Sequence, residues 1–145
     1  MKKRIILEII IAVLALLFIY ASFSKLVNFS EFKRAMHNQP FSGWFTTIII
    51  WTLPPGELLI CLALSFNKFQ LYGLYAFLIL MASFTLYIGA ILLHLFPKVP
   101  CSCGGVIQAL GWGHHLIFNL IFILLAIWAI VLHTQQRQDS HHQRI

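Results

Sequence analysis

An all-α integral membrane four-helix bundle is the fold class this sequence predicts, on three observations. Hydrophobic residues make up 60% of the 145 positions and charged residues only 10%, far from the balance of a water-soluble domain. Four apolar segments each reach the roughly 20 residues that a helix needs to cross a bilayer core of about 30 Å. The second and third segments are joined only by Asn67 and Lys68, so these two form an antiparallel hairpin.

The first crossing is expected at about 5–23. Met1-Lys2-Lys3-Arg4 followed by an apolar run resembles a secretory leader, but the run is longer than such leaders use and Ala21-Ser22-Phe23 is a poor cleavage site. The segment therefore reads as a retained helix. In the loop at 24–45, Leu26, Phe29, Phe32 and Met36 recur at three- and four-residue spacing. That pattern predicts a short amphipathic helix, capped by Asn28 or Ser30, lying in the interface between helices 1 and 2. The second crossing is expected at 46–66 and the third at 69–96, joined only by Asn67 and Lys68 as a hairpin. A second loop at 97–112 precedes the fourth crossing at 113–133. Residues 1–134 form a single transmembrane domain, and the polar stretch 135–145 reads as a frayed cytoplasmic tail.

Charge orients the bundle. With the amino terminus in the cytoplasm, Lys2, Lys3, Arg4, Lys68, Arg137 and Arg144 lie inside, against Lys25, Lys33, Arg34 and Lys98 outside. Six against four, with a cluster at the start, favours this arrangement. Both termini are then cytoplasmic, and the loops at 24–45 and 97–112 face out. The net charge of +6 sits at ends and loops with no basic stripe among aromatics. Lipid headgroups account for it, and nucleic acid is not expected as a partner.

The second outer loop carries Pro100-Cys101-Ser102-Cys103-Gly104-Gly105. On the outer side, disulfides form and persist. A bridge across one intervening residue requires a tight turn and stores strain, and strained, exposed disulfides are the labile or catalytic ones. Cys101 and Cys103 therefore read as a redox couple, with the attacking thiol unassigned. Cys61, within the second crossing, reads as a small apolar residue.

Two further features fall inside the apolar segments. Leu53-Pro54-Pro55-Gly56-Glu57 removes two backbone donors, so the helix is expected to kink or open there. Glu57 follows near the bilayer midplane, where an ionisable side chain is costly unless protonated or paired. Tyr20, Ser24, Tyr87 and Asn119 are its candidate partners. The fourth crossing opens Gly111-Trp112-Gly113-His114-His115 and places Asn119 one turn after His115 on the same face. Either histidine could steady a thiolate or relay protons. Trp112 and the histidines also suit a plain interfacial anchor.

Taken together, Tyr20 to Leu26, Phe29 and Phe32, the proline-glutamate pair, the Cys-x-Cys turn, and Trp112, His114, His115 and Asn119 resemble the DoxX/MauE group of small four-helix redox-associated membrane proteins. That resemblance implies an extracytoplasmic cysteine couple in a bacterial cytoplasmic (inner) membrane, acting in thiol or disulfide metabolism, often beside a thioredoxin-like partner. The catalytic candidates are then Cys101, Cys103, His114, His115 and Glu57. The architecture is also similar to disulfide-generating, quinone-reducing membrane proteins, by analogy alone. On that analogy a quinone could lodge near Trp112, His115 and Asn119, but no cofactor is fixed by the sequence. Two other readings stay open: a zinc site from Cys101, Cys103, His114 and His115, and a non-enzymatic subunit that assembles a larger membrane complex. Adjacent helical histidines point about 100° apart, so both reach one ion only if the helix starts after them.

Overall fold

The computed structural model describes residues 2–95 and 112–142, with the side chains of Trp112 and of residues 140–142 outside that description. Among the described residues, five helices follow in chain order: α1 (Lys2–Val27), α2 (Phe29–His37), α3 (Gly43–Ser65), α4 (Gln70–Leu92) and α5 (Trp112–His142). All but α2 are long and apolar enough to cross a membrane. Around the bundle the order is α1, α3, α4, α5 and back to α1, each helix packing on two others. This is the expected all-α four-helix membrane architecture.

The boundaries shift in ways that matter. α1 continues beyond Phe23 to Val27, so Ser24, Lys25 and Leu26 belong to the helix rather than to the following loop. The amphipathic helix is accordingly shorter than the spacing suggested. Phe32 and Met36 bury against Ile50 of α3 with Phe29 beside them, whereas Leu26 is 48% exposed on α1. Asn28 holds the N-cap position of α2 without a side-chain cap bond. α3 runs through Pro54 and Pro55 as one helix, so it does not open there. The α3–α4 turn is closed by the Phe69 amide donating to the Phe66 carbonyl at 2.9 Å.

α4 ends at Leu92, where His94 takes a left-handed backbone (φ 56°). The Leu95 amide donates to the Ala90 carbonyl and the His94 amide to that of Ile91, the two crossed bonds of a Schellman stop. α5 extends well past residue 133, through the stretch read as a tail. Close approach of α3 and α4 depends on Gly73: a methyl group there would stand 2.9 Å from the Leu64 amide nitrogen. Lipid supplies no hydrophobic drive between helices, so such small-residue contacts and internal hydrogen bonds hold the bundle.

The apolar core fills the end of the bundle that carries the chain termini. Leu7, Ile11, Leu14, Leu64, Leu74, Met81, Ala126, Ala129 and Leu132 are buried there together. Phe18 stacks on Phe77 with ring centroids 4.2 Å apart toward the middle.

Candidate functional site

Buried polar side chains collect toward the opposite end. Among the described residues they are Ser22, Gln39, Thr46, Glu57, His115 and Asn119. By topology this end holds the close of α1, α2, the start of α3, the close of α4 and the start of α5. Among the described residues, α1, α3 and α5 thus bring buried polar groups to one end of the bundle, while α4 stays apolar on its buried face.

At the α1–α3 seam the centre is an ion pair. Lys25 Nζ donates to both carboxylate oxygens of Glu57, at 2.8 and 3.1 Å, and also to the Ala21 carbonyl at 3.3 Å. Helical side chains lean toward the amino terminus of their own helix. In two antiparallel helices Lys25 therefore leans down and Glu57 leans up, which closes a gap that their backbone levels alone would leave open. Glu57 is 1% exposed and Lys25 17%, so the carboxylate is enclosed while the ammonium keeps a small outlet. Between the levels of these two residues Ser22 Oγ donates to the Pro54 carbonyl at 3.0 Å, and toward the termini Cys61 Sγ approaches the Ala15 carbonyl at 3.4 Å.

The partner of Glu57 is thus none of the four residues proposed from sequence. Tyr20 is 52% exposed, Tyr87 donates instead to Gln39 Oε1, and the amide nitrogen of Asn119 has no partner among the described residues. Sequence reasoning missed Lys25 because it placed the residue in a loop. The recoverable signal was that Lys25 closes an apolar run with no break after it, and that a carboxylate in lipid calls for a cation. The same reasoning missed Gln39, which the Tyr87 bond and the Phe41–Tyr87 ring contact at 5.2 Å use to tie the α2–α3 link onto α4.

On α5 the structure separates the adjacent histidines. The helix begins at Trp112, so His114 is exposed while His115 is buried. The condition for two histidines on one ion, a helix that starts after them, is not met, and no group of three metal-binding side chains occurs among the described residues. His115 and Asn119 do share one buried face, at 8% and 3% exposure. Neither His115 Nδ1 nor Asn119 Nδ2 finds a hydrogen-bond partner among the described residues, which is costly in a medium without water. The other such nitrogens, on His133 and Gln136, belong to half-exposed residues at the far end. Cys101 and Cys103 lie outside the described residues, and Trp112 enters only as the first backbone position of α5.

A family model described as methylamine utilisation protein MauE matches residues 3–132, a span that reaches into all four crossing helices and includes both Cys101 and Cys103. No curated protein and no solved structure matches the chain.

Proposed function

The chain belongs to the MauE family, and on that footing we propose that it is a membrane thiol-disulfide protein whose Cys101–Cys103 couple exchanges with a thioredoxin-like or other protein partner on the extracytoplasmic side of a bacterial cytoplasmic membrane. One observation carries the reading: the bundle concentrates its buried polar groups at the end where the chain leaves α4 at Leu92 and enters α5 at Trp112. The Cys-x-Cys sequence is part of that connection. A helix bundle that needed only to sit in lipid would gain nothing by burying six polar side chains beside it. The orientation draws on the same charge balance as before. It is favoured further because Lys25, one of four cations on the outer side, is held within the bundle by Glu57.

In the exchange, a thiolate of one cysteine attacks a sulfur of the partner's disulfide and forms a mixed disulfide, releasing the partner's other sulfur as a thiolate. The second cysteine then attacks its neighbour, closing Cys101–Cys103 and freeing the partner as a dithiol. Two electrons pass from chain to partner, and the reverse sequence passes them back. In this reading His114, exposed at the first turn of α5, is the candidate for steadying a thiolate of the couple.

Trapping tests this directly. Removing the resolving thiol, by Cys101→Ser or Cys103→Ser, leaves a mixed disulfide that cannot resolve. One of the two variants is expected to carry a covalent, dithiothreitol-sensitive adduct in native membrane, absent from the double variant. Absence of any adduct from both single variants would contradict the proposal.

A further inference from the structure

Only one face of α2 is used by the fold. Phe32, Ala35 and Met36 are buried, and Phe32 and Met36 pack on Ile50, which lies on the same buried stripe of α3 as Thr46, Pro54 and Glu57. α2 therefore closes over the inner side of the bundle end and does not lie along its lipid-facing flank. Both its ends are fixed. The Asn28 amide ahead of it donates to the Ser24 carbonyl of α1 at 3.1 Å, and Gln39 behind it, 5% exposed, accepts from Tyr87 of α4. The opposite face is cationic. At about 100° per residue, Lys33, His37 and Arg34 span an arc of about 100° turned away from the buried stripe, and all three are exposed. Glu31 flanks that arc. Neither Lys33 nor Arg34 forms an ion pair among the described residues, unlike Arg4 with Glu8 and Lys25 with Glu57.

Three considerations choose the occupant. With the chain oriented as above, Lys33 and Arg34 stand on the translocated side, where membrane proteins keep few cations, and no group within the described residues engages their charge. A helix that binds anionic lipid lays its apolar face in the bilayer, whereas α2 packs that face on Ile50 and turns its cations away from the membrane. An exposed, convex helix face encloses no small anion, but it meets several carboxylates of an extended surface at once. We propose that the Lys33–Arg34 face of α2 is the docking surface for a water-soluble redox domain with an acidic surface around its own cysteine pair. This rests on the thiol-disulfide reading above, and it names the surface that selects the partner. The face stands at the end of the bundle that this role requires, since Gln39 is held by Tyr87 near the close of α4, from which the chain runs on toward Cys101. The exchange itself stays as written above. Complementary surface charges act chiefly on the rate of encounter and on its orientation.

Charge exchange between the two sides tests this. Full-length protein in phosphatidylcholine nanodiscs, with its cysteines reduced, is mixed with an oxidised soluble thioredoxin whose surface is acidic, and the second-order rate of disulfide exchange is measured against salt. A second form of the probe carries lysines in place of the acidic residues around its cysteine pair. Lys33→Glu, Arg34→Glu should slow exchange with the acidic probe about tenfold at low salt, and the milder Lys33→Gln, Arg34→Gln about threefold. Parent and variants should converge at about 1 M salt, where charges are screened within about 3 Å. The lysine-bearing probe should be slow with the parent and should recover most of the lost rate with Lys33→Glu, Arg34→Glu, a recovery that a misfolded variant does not give.

Rates that do not depend on the charge of α2, or a loss in the variants that the lysine-bearing probe does not recover, overturn the proposal. In discs that contain phosphatidylglycerol, native mass spectrometry should find this lipid retained equally by the parent and by Lys33→Glu, Arg34→Glu. Loss of the lipid from the variant, with exchange toward the acidic probe undiminished, assigns the face to headgroups and refutes the docking role. Exchange of the parent with hydroxyethyl disulfide, which is small and uncharged, tests the redox reading by itself. Exchange there, without charge dependence toward thioredoxin, leaves the redox reading standing and this inference refuted. No exchange with either oxidant removes both.

Discussion

Breaking the Lys25–Glu57 pair should be the most damaging single polar change in the bundle. At 2.8 Å and an effective dielectric constant of about 20, the attraction is about 6 kcal/mol before the cost of desolvating both groups is subtracted. Removing one partner of a buried pair costs about 3–5 kcal/mol, largely because the other is left charged and unpaired. The two partners are not equivalent here. Glu57 is 1% exposed, whereas Lys25 retains 17% and a second acceptor in the Ala21 carbonyl. Lys25→Met strands a carboxylate in lipid and should cost about 3 kcal/mol, limited by the ability of Glu57 to take up a proton. Glu57→Gln leaves a cation that can swing toward water and should cost about 2 kcal/mol. The Lys25→Met, Glu57→Gln double variant should recover much of the loss, giving a coupling of at least about 1.5 kcal/mol in a double-mutant cycle. The assay is reversible unfolding of the purified protein in mixed micelles by sodium dodecyl sulfate, followed by tryptophan fluorescence. Additive effects, with each single variant within about 0.5 kcal/mol of the parent, would show that the pair holds nothing and refute the reasoning.

The other predictions concern packing and helix ends. Gly73→Ala should destabilise by about 1–3 kcal/mol because its methyl meets the Leu64 backbone. Gly56→Ala, with open space around its position, should be neutral or stabilise by about 0.5–1 kcal/mol, and the same unfolding titration measures both. Phe77→Ala removes the ring stacked on Phe18 at 4.2 Å, and should cost about 2 kcal/mol, less than in a water-soluble core because lipid replaces water in the unfolded reference. His94→Gly relieves the left-handed backbone at the end of α4 and should raise the thermal midpoint, whereas His94→Val, branched at Cβ, should lower it.

The crossing segments were legible in the sequence because lipid imposes a length and a polarity on any helix that spans it, and Pro54 and Pro55 could not mask a run as apolar as 46–66. The interfacial helix was legible through Phe29, Phe32 and Met36, whose spacing answers to a single buried face. Lys25 was not legible, since a lysine at the end of an apolar run is usually where a helix meets water. Its burial depends on Glu57, 32 positions later, pointing the opposite way along an antiparallel neighbour. The pairing of His115 with Asn119 on one face was readable from their spacing. The division of His114 from His115 required knowing where α5 begins, and a Trp-Gly-His-His opening fixes that start only loosely. The bundle's polarity, with buried polar groups at the end away from the termini, is a property of α1, α3 and α5 together and no one of them displays it.

The central claim is tested most directly by double labelling of cysteines in intact cells. A membrane-impermeant maleimide of one mass is applied first, then reductant, then a maleimide of a second mass, and Cys101 and Cys103 are read by mass spectrometry. The account predicts that both residues react from outside the membrane and that the two masses distribute over them together, as a couple that opens and closes, while buried Cys61 takes neither label. Labelling of Cys101 and Cys103 only after the cells are permeabilised, or thiols that stay fully reduced under oxidising conditions, would contradict it.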